Sequence, residues 1–533
     1  MKRVTRRDFV AASATLAATA FVAKGATDTE PVRQAAGKPN VLVIMTDQHR
    51  IECLGAYGNR EIATPNVDAL AADGVRFNNS FCPYPICTPS RYSLFSGLYV
   101  HEHRGWTNHS TLSPGIDTFP AILRKAGYRT KAVGKMHFTP TYLDVGFDEM
   151  ILAEQNGPGR WDDDYHRVLR AQGLIDGNDL EDQETEFRKN ARPEFWEAFG
   201  ALPSNLPKQY HSTEWIGDQA NETLRGWGPS GQLLTVGFIK PHHPFDPPAE
   251  YCNLYDPAKL SILPGWTDTC FDHDLALNAG YFHNATLTEP ALRRVMAYYY
   301  ACIQHIDDQA GKMIRTLKEK GIYDNTMIVF TSDHGEYLGC HHLLLKGNYM
   351  YDPLVKVPLI VKFPQSKNMG NASQALVNTT DVAPTILSQA QCQIPERMRG
   401  LNLATVCQTT TNRANEIERE TTFAESNEGK QVMARTKTKK LILHRAKGAA
   451  LFYDLEKDPH ELDNRYQDPA YEADTKSLTA ALEKWRAPND IPKICIDEEA
   501  PIIQQPNVPN HQDDHRKQMM TYARNKMQGN WAK

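Results

Sequence analysis

Four short apolar runs in this 533-residue chain are each followed at once by side chains that can bind metals or anions. The runs are residues 41–45, 130–133, 233–239 and 327–330, and the polar residues behind them are Asp47, Gln48, Lys135, His137, His242, Asp333 and His334. A lone Asp often caps a helix, so one such residue by itself would mean little. Ligands of open α/β sheets bind where the carboxyl ends of the strands meet. Four such strand ends together therefore predict one shared site.

The side chains of this predicted site fall into two chemical sets. Asp47, Gln48 and Asp333 offer hard oxygen ligands, which suit a divalent cation such as Ca²⁺ or Mg²⁺. His334 would add a nitrogen ligand, which also admits Mn²⁺. The second set has positive or switchable charge and comprises Lys135, His137, His242 and Lys346. The two sets together predict a tetrahedral oxyanion held between a metal and several cationic groups.

The segment Cys87-Thr88-Pro89-Ser90-Arg91 predicts the start of a helix beside that site. Pro89 suits a first helical turn, and the free N–H groups of a helix start support an anion. Arg91 lies about one turn beyond Cys87, so its side chain can fold back toward the same anion. Taken alone, Cys87 is more typical of a buried structural cysteine ahead of a helix.

Apolar strands alternate with helical patterns through most of the chain. Proline near the first turn and glycine past the end mark helices at residues 64–73 and 120–126, and a longer helical pattern runs from residue 289 to about 321. Nearly continuous apolar strands between such helices predict an α/β fold, with a large, mostly parallel sheet covered by helices on both faces.

The pattern changes after about residue 412. Closely spaced strand candidates and a polar helix follow, at residues 421–424, 431–434, 440–444, 451–455 and 470–485. They predict a small C-terminal α+β subdomain over residues 413–490, in which a helix packs on an antiparallel sheet. Residues 491–533 are rich in Gln, Asn, Asp and Pro and are expected to form a tail that extends as an arm.

The first residues of the chain are typical of an export signal. Arg6 and Arg7 precede an uncharged, Ala-rich run at residues 9–23, which is too short to span a bilayer comfortably. The paired arginines resemble a twin-arginine signal. We therefore predict a signal peptide and linker at residues 1–30 and a periplasmic or secreted protein that uses the twin-arginine export machinery. The alternative is a first helix with two surface arginines.

Composition limits the classes of partner. The chain carries 59 Lys and Arg against 64 Asp and Glu, for a net charge of −5, whereas nucleic-acid binding needs a basic surface. No later segment is long and apolar enough to cross a membrane, so no membrane partner is predicted for the mature protein. Ten cysteines are too sparse for a disulfide scaffold.

The motif around Cys87 resembles the C-x-P-S-R signature of the type I sulfatases, a formylglycine-dependent family of the alkaline phosphatase superfamily. The resemblance extends from residue 39 over most of the chain. Its further fragments are Pro39-Asn40-Val41, Thr64-Pro65-Asn66-Val67-Asp68, Gly134-Lys135-Met136-His137, Lys240-Pro241-His242, Ser332-Asp333-His334-Gly335 and Phe452-Tyr453-Asp454-Leu455. Their order and spacing make the match specific. It implies a catalytic domain over residues 38–412.

The resemblance implies a modified nucleophile and a metal. Cys87 would be oxidised to formylglycine (3-oxoalanine), whose hydrate supplies the attacking hydroxyl. The metal, usually Ca²⁺, would be bound by the modified Cys87 together with Asp47, Gln48, Asp333 and His334. Many family members carry Asp at the position of Gln48 and Asn at that of His334. The combination found here also resembles choline sulfatases and phosphonate monoester hydrolases, which leaves Mn²⁺ or Mg²⁺ and a second substrate class open.

The remaining site residues also receive roles from the resemblance. Arg91 would fix the modified residue and the metal carboxylates, and Lys135 and Lys346 would bind sulfate oxygens. His242 and Lys346 would protonate the leaving oxygen. His137 would act as the base that releases sulfate from the enzyme. The family pattern of His, any residue, Pro and Phe selects His242 rather than the adjacent His243.

The function implied is hydrolysis of sulfate esters, with a sulfated carbohydrate or polysaccharide as the expected substrate. A formylglycine-generating enzyme is the expected maturation partner. One alternative is a phosphonate monoester or phosphodiester hydrolase that uses the same site. Another is a binding protein in which Cys87 is never modified.

Overall fold

The computed structural model describes residues 38–156, 159–275, 281–347, 349–365, 370–408, 419–445, 449–487, 513–528 and 531. The predicted signal segment at residues 1–30 lies outside these residues. So does the predicted domain boundary at residue 412. The described residues belong to one compact unit.

An eight-stranded sheet forms the centre of the molecule, in the order β4-β3-β5-β1-β6-β7-β2-β8. Its strands are β1 (Asn40–Asp47), β2 (Val75–Phe81), β3 (Arg129–Gly134), β4 (Glu149–Leu152), β5 (Gln232–Pro241), β6 (Thr326–Ser332), β7 (Leu359–Lys362) and β8 (Asn371–Asn378). Strand β7 runs antiparallel to both of its neighbours, and the other pairings are parallel. The mostly parallel sheet predicted from the sequence is confirmed.

Helices cover both faces of this sheet. The helices of the described residues, including those that pack elsewhere, are α1 (Pro65–Asp73), α2 (Cys87–Ser96), α3 (Val100–His103), α4 (Phe119–Lys125), α5 (Gly159–Asp162), α6 (Asp164–Ala171), α7 (Gly177–Gln183), α8 (Thr185–Arg188), α9 (Pro193–Glu197), α10 (Ser212–Arg225), α11 (Asp272–Leu275), α12 (Glu289–Glu319), α13 (Asp352–Val355), α14 (Val382–Gln389), α15 (Leu403–Gln408), α16 (Glu472–Arg486) and α17 (Asp513–Met527).

The central strand β1 shows why the sheet is a sandwich. Alternate residues of a strand point to opposite faces. Leu42 and Ile44 share a core with α1, α10 and α12, whereas Val41, Val43 and Met45 share a second core with α2, α4 and α14. Every residue of β1 is buried, as expected for a strand covered on both sides.

A second, antiparallel sheet contains β9 (Thr422–Ser426), β10 (Gln431–Arg435), β11 (Lys439–His444) and β12 (Ala449–Asp454). Helix α16 packs on it through Leu478, Leu482 and Trp485. This confirms the predicted C-terminal sheet and helix. The extended arm expected for the tail is wrong for residues 513–527, because Met519 and Ala523 of α17 bury themselves against Trp161 and Leu180.

Strands β2, β4 and β8 were not predicted from the sequence. β2 and β8 are rich in Asn and Ser, and β4 has only four residues, so none forms a long apolar run. No helix among the described residues is long and apolar enough to cross a membrane.

Candidate active site

The ends of β1 and β6 bring two carboxylates together. The two strands are parallel neighbours, with Met45 opposite Thr331 and Thr46 opposite Ser332. Asp47 ends β1 and Asp333 follows β6, so they emerge side by side from the carboxyl edge of the sheet. Both are buried.

Cys87 is the first residue of α2, and its sulfur lies at the centre of the site. The Sγ atom is 3.3 Å from His334 Nε2, 3.3 Å from Lys346 Nζ and 3.6 Å from Asp47 Oδ1. Cys87 is 1% exposed. The helix start and the strand ends therefore meet at one buried sulfur atom.

The residues around Cys87 fit a divalent cation. Ligand atoms of Asp47, Cys87, Asp333 and His334 all lie within 4.8 Å of one another. His334 donates its Nδ1–H to the carbonyl of Gly335 at 2.9 Å, so Nε2 is the nitrogen that the neutral ring would offer to a cation. Such a donor set, with carboxylate oxygens and one imidazole nitrogen, is suited to Ca²⁺ or Mn²⁺.

Gln48 adds a free acceptor beside these ligands. Its side-chain amide nitrogen donates to Glu336, whereas its buried Oε1 has no hydrogen-bond partner among the described residues. A buried oxygen left unpaired is costly unless something binds it. The backbone of Gln48 has φ of 60°, a left-handed conformation that costs about 1–3 kcal/mol in a non-glycine residue and clusters at functional sites.

Arg91 holds the two carboxylates in place. Its Nε donates to Asp333 Oδ2 at 2.8 Å, and one terminal nitrogen donates to Asp47 Oδ2 at 3.0 Å. The other terminal nitrogen donates to the carbonyl of Lys135 at 2.5 Å. The planar guanidinium can serve all three acceptors at once, which a lysine could not do.

Two lysines and a histidine complete the cluster around Cys87 and Asp47. Lys135 Nζ lies 2.8 Å from Asp47 Oδ2, and Lys346 Nζ lies 2.9 Å from His242 Nε2. Burial and the charge of Lys346 lower the pKa of His242 well below its ordinary value. His242 is therefore the neutral partner in this pair.

His137 is held by its backbone while its ring remains free. Its N–H donates to Glu154 Oε1 at 2.9 Å, and its carbonyl accepts from Thr88 Oγ1 at 2.8 Å. The ring nitrogen Nδ1 is buried and has no partner among the described residues. Burial and the charge of Lys135 hold the pKa of His137 well below its ordinary value, so the ring is a neutral acceptor of protons.

Charge around Cys87 favours its thiolate. Burial and Asp47 oppose ionisation, but Lys346, Lys135 and His334 outweigh them and lower the pKa of the Cys87 thiol to about 6. Burial likewise opposes ionisation of Asp47, yet Lys135 and other nearby cations hold its pKa well below the usual range. The site is thus built to stabilise negative charge at the position of the Cys87 sulfur.

Comparison with known proteins identifies the family. The sulfatase family model matches residues 39–392, and the model for the C-terminal part of N-sulphoglucosamine sulphohydrolase matches residues 339–488. The chain belongs to the sulfatase family. It is a sulfuric ester hydrolase, and the sulfatase domain contains both the carboxylates and the cysteine described above.

Individual relatives of this sulfatase agree with that assignment. An arylsulfatase of Clostridium perfringens is 29% identical, over 84% of this chain and 94% of its own. An N-acetylglucosamine-6-O-sulfatase of Bacteroides thetaiotaomicron is 26% identical, over 85% of this chain and 87% of its own. The crystal structure of a phosphonate monoester hydrolase of Agrobacterium radiobacter matches with a TM-score of 0.70 at 24% identity. The match covers 84% of this chain and 95% of that chain, and it shows that the two proteins share a fold.

The structure places every predicted site residue of the sulfatase in or beside this cluster, and it adds others that sequence reasoning missed. Glu154 binds the N–H groups of Met136 and His137, and Gln155 accepts from Lys135 Nζ at 3.1 Å. Both follow β4, which was not predicted. The apolar run at residues 150–153 was the available signal, since a polar pair follows it as in the other strands.

Proposed function

We propose that this sulfatase hydrolyses sulfate esters of carbohydrates through a formylglycine made from Cys87. The observation that carries the proposal is the position of the Cys87 sulfur, 3.3 Å from both Lys346 Nζ and His334 Nε2 at the start of α2. The relative named as an N-acetylglucosamine-6-O-sulfatase supports a sulfated sugar as the substrate.

The proposed cofactor is Ca²⁺, bound by Asp47, Gln48, Asp333, His334 and the modified Cys87. When bound, a divalent cation polarises a sulfate oxygen and stabilises the negative charge around the nucleophile. Hydrated formylglycine would supply a nucleophilic hydroxyl and a second hydroxyl at the position of the Cys87 sulfur. Mn²⁺ would fit the nitrogen ligand equally well.

The lysines provide the anion-binding half of the proposed site. Lys135 and Lys346 carry ammonium groups next to the Cys87 position, where they would bind the sulfate oxygens as charge shifts away from sulfur. Arg91 would hold the nucleophile and the metal carboxylates in register, because it already spans Asp47 and Asp333.

Two histidines are proposed to move protons in separate steps. Lys346 and the neutral His242, 2.9 Å apart, would share a proton and deliver it to the leaving alkoxide. His137, neutral and with an unpaired ring nitrogen, would take the proton of the second hydroxyl and so release the sulfate. The two steps need opposite proton transfers, and a separate imidazole would serve each of them.

Maturation and export are part of the proposal. Because Cys87 is 1% exposed, a formylglycine-generating enzyme would have to reach it before folding is complete. We propose that the segment around Arg6 and Arg7 then directs the folded, modified chain through the twin-arginine machinery to the periplasm or the exterior.

Mass spectrometry of the Cys87 peptide, combined with a screen of defined sulfated saccharides, tests the proposal. We expect an aldehyde or its hydrate at Cys87 and release of sulfate from at least one sugar. The protein is co-expressed with a maturation enzyme for this test. If Cys87 is then a free thiol and the protein still hydrolyses sulfate esters, the proposed nucleophile is wrong.

A phosphonate or phosphodiester substrate remains the second candidate. Gln48 and His334 replace the Asp and Asn found in many sulfatases, in a combination that resembles phosphonate monoester hydrolases. Comparing kcat/KM on an aryl sulfate and the matching aryl phosphonate separates the two. We expect the sulfate to be preferred, and the opposite preference would establish the second candidate.

A further inference from the structure

A buried glutamate that the sequence did not single out connects two halves of the proposed site. Glu336 is 0% exposed and follows His334 by two positions. Its Oε2 accepts from the side-chain amide of Gln48, and its Oε1 accepts from the N–H groups of Leu338, at 3.1 Å, and Leu345. Both oxygens thus accept N–H groups in this arrangement.

The bond to Glu336 decides which way the Gln48 amide faces. The backbone of Gln48 is fixed at both ends, since its N–H donates to Asp333 Oδ1 at 3.1 Å and its carbonyl accepts from the Tyr299 hydroxyl at 2.6 Å. The side-chain amide can still turn over and exchange its oxygen and nitrogen. Because Glu336 accepts only from the nitrogen, the oxygen is left buried and unpaired.

The same carboxylate holds the segment that carries Lys346. Leu345 directly precedes Lys346, and its φ of 69° is left-handed. Lys346 Nζ in turn lies 3.3 Å from the Cys87 sulfur. The Glu336 side chain therefore contacts both Gln48 and the residue that precedes Lys346.

We propose that Glu336 is a positioning residue that selects the Gln48 orientation in which the amide oxygen faces the divalent cation. The inference rests on the proposed metal site and deepens it. A glutamine can bind a hard cation only when its side-chain oxygen faces that cation, because an amide nitrogen has no lone pair to offer. Partners of metal ligands commonly change metal affinity about 10–100-fold when removed.

Exchanging the two side chains provides the test. In Glu336→Gln the remaining oxygen is needed by Leu338 and Leu345, so the new amide nitrogen meets the nitrogen of Gln48 and forces that amide to turn over. We expect the affinity for Ca²⁺ to fall about 10–100-fold, measured by calorimetric titration of the metal-free protein. In Gln48→Glu/Glu336→Gln the new amide donates to one oxygen of Glu at position 48 and leaves the other for the cation.

The size of the effect in the two backgrounds separates orientation from simple charge. Loss of a nearby negative charge would weaken Ca²⁺ binding to a similar extent whether position 48 is Gln or Glu. Our inference requires that Glu336→Gln weakens binding about 10–100-fold beside Gln48 and much less in the Gln48→Glu background, where a carboxylate presents an oxygen to the cation whichever way it turns. The second comparison holds even if the single Glu336→Gln variant fails to fold.

Two controls distinguish failure of this inference from failure of the proposed function. Glu425→Gln changes another buried carboxylate, one that binds His101 at 2.7 and 2.9 Å, and should leave the Ca²⁺ affinity unchanged. A loss of affinity of the same size in both backgrounds, or no change in either, would overturn the role of Glu336 alone. A wild-type protein that binds neither Ca²⁺ nor Mn²⁺ would overturn the metal site together with it.

Discussion

Arg91 links the two carboxylates of the site to the backbone of Lys135. Its three donors bind Asp47, Asp333 and the carbonyl of Lys135, and its side chain is completely buried. A buried charge pair contributes little net stability when intact, but removing one partner leaves the other charge buried and uncompensated. We therefore expect the guanidinium to stabilise the folded arrangement of the two carboxylates.

Replacing this guanidinium should be costly. We expect Arg91→Ala to lower the free energy of unfolding by about 3–5 kcal/mol, since two carboxylates lose a buried partner. Urea denaturation followed by circular dichroism measures it. Arg225→Ala is the control, because that side chain is 66% exposed and its pair with Glu222 should be worth about 0–1 kcal/mol. Equal losses in the two variants would contradict the assignment.

The cysteine can be tested against a neighbour that shares its burial. We expect Cys87→Ala to abolish sulfate release while changing the free energy of unfolding by only about 1 kcal/mol. Cys82→Ala, five residues earlier and equally buried, should keep its turnover. Initial rates on a chromogenic sulfate ester and thermal unfolding provide the two measurements. Residual turnover in Cys87→Ala would show that another group is the nucleophile.

At the scale of elements, the pairing of α10 and α12 on one face of the sheet includes a polar contact. Glu214 of α10 accepts from His305 at 2.8 Å and from Lys312 at 2.6 Å, both on α12. Lys208 lies 3.9 Å away, and Asp218 shares Lys312 at 3.9 Å. Burial alone would raise the pKa of Glu214, but the bonds from His305 and Lys312 lower it from 4.5 to about 2.

This contact predicts an acid-sensitive contribution to stability. A carboxylate whose pKa is lower in the folded state stabilises the fold above its unfolded value of 4.5 and loses that contribution as the pH falls toward about 2. We expect the free energy of unfolding to fall less steeply over this window in Glu214→Gln than in the wild type. Glu222→Gln, an exposed change on the same helix, should match the wild type. Identical slopes for Glu214→Gln would refute the prediction.

At the scale of the whole molecule, a buried ionic network ties the C-terminal sheet to the loop beyond the active site. Lys440 of β11 is 0% exposed and lies 2.8 Å from Asp352 and 2.7 Å from Glu461. Arg435 of β10 binds the same Asp352 at 2.9 Å. Asp352 begins α13, six residues after Lys346, so the second sheet supports the segment that carries a proposed sulfate-binding lysine.

Adjacent lysines of β11 allow a matched test of this network. Lys440→Met should lower the free energy of unfolding by about 3–5 kcal/mol, because two buried carboxylates lose a shared partner. Lys439→Met should cost about 1 kcal/mol or less, since its partner Asp454 keeps Lys457 and Tyr471. Chemical denaturation of both variants decides, and a smaller loss for Lys440→Met would count against the network.

The amino-acid sequence by itself determined the fold class and the identities of the chemical groups. Apolar runs such as residues 41–45 are long enough to specify buried strands. Because the residues after a parallel strand lie at the carboxyl edge of the sheet, the sequence alone predicts that Asp47 and Asp333 share that edge. The C-x-P-S-R segment added Cys87 and Arg91. Polar strands such as β8 gave no comparable signal because their burial is partial.

Only the tertiary structure decided how these groups face one another. His242 and His243 are neighbours in sequence, yet one ring lies 2.9 Å from Lys346 Nζ and the other 2.5 Å from Asp182. The left-handed backbone of Gln48 and the reach of Glu336 to it are equally invisible in the sequence. These side-chain directions depend on contacts between segments 61 to 288 residues apart, whereas strand and helix patterns depend on residues close together in the chain.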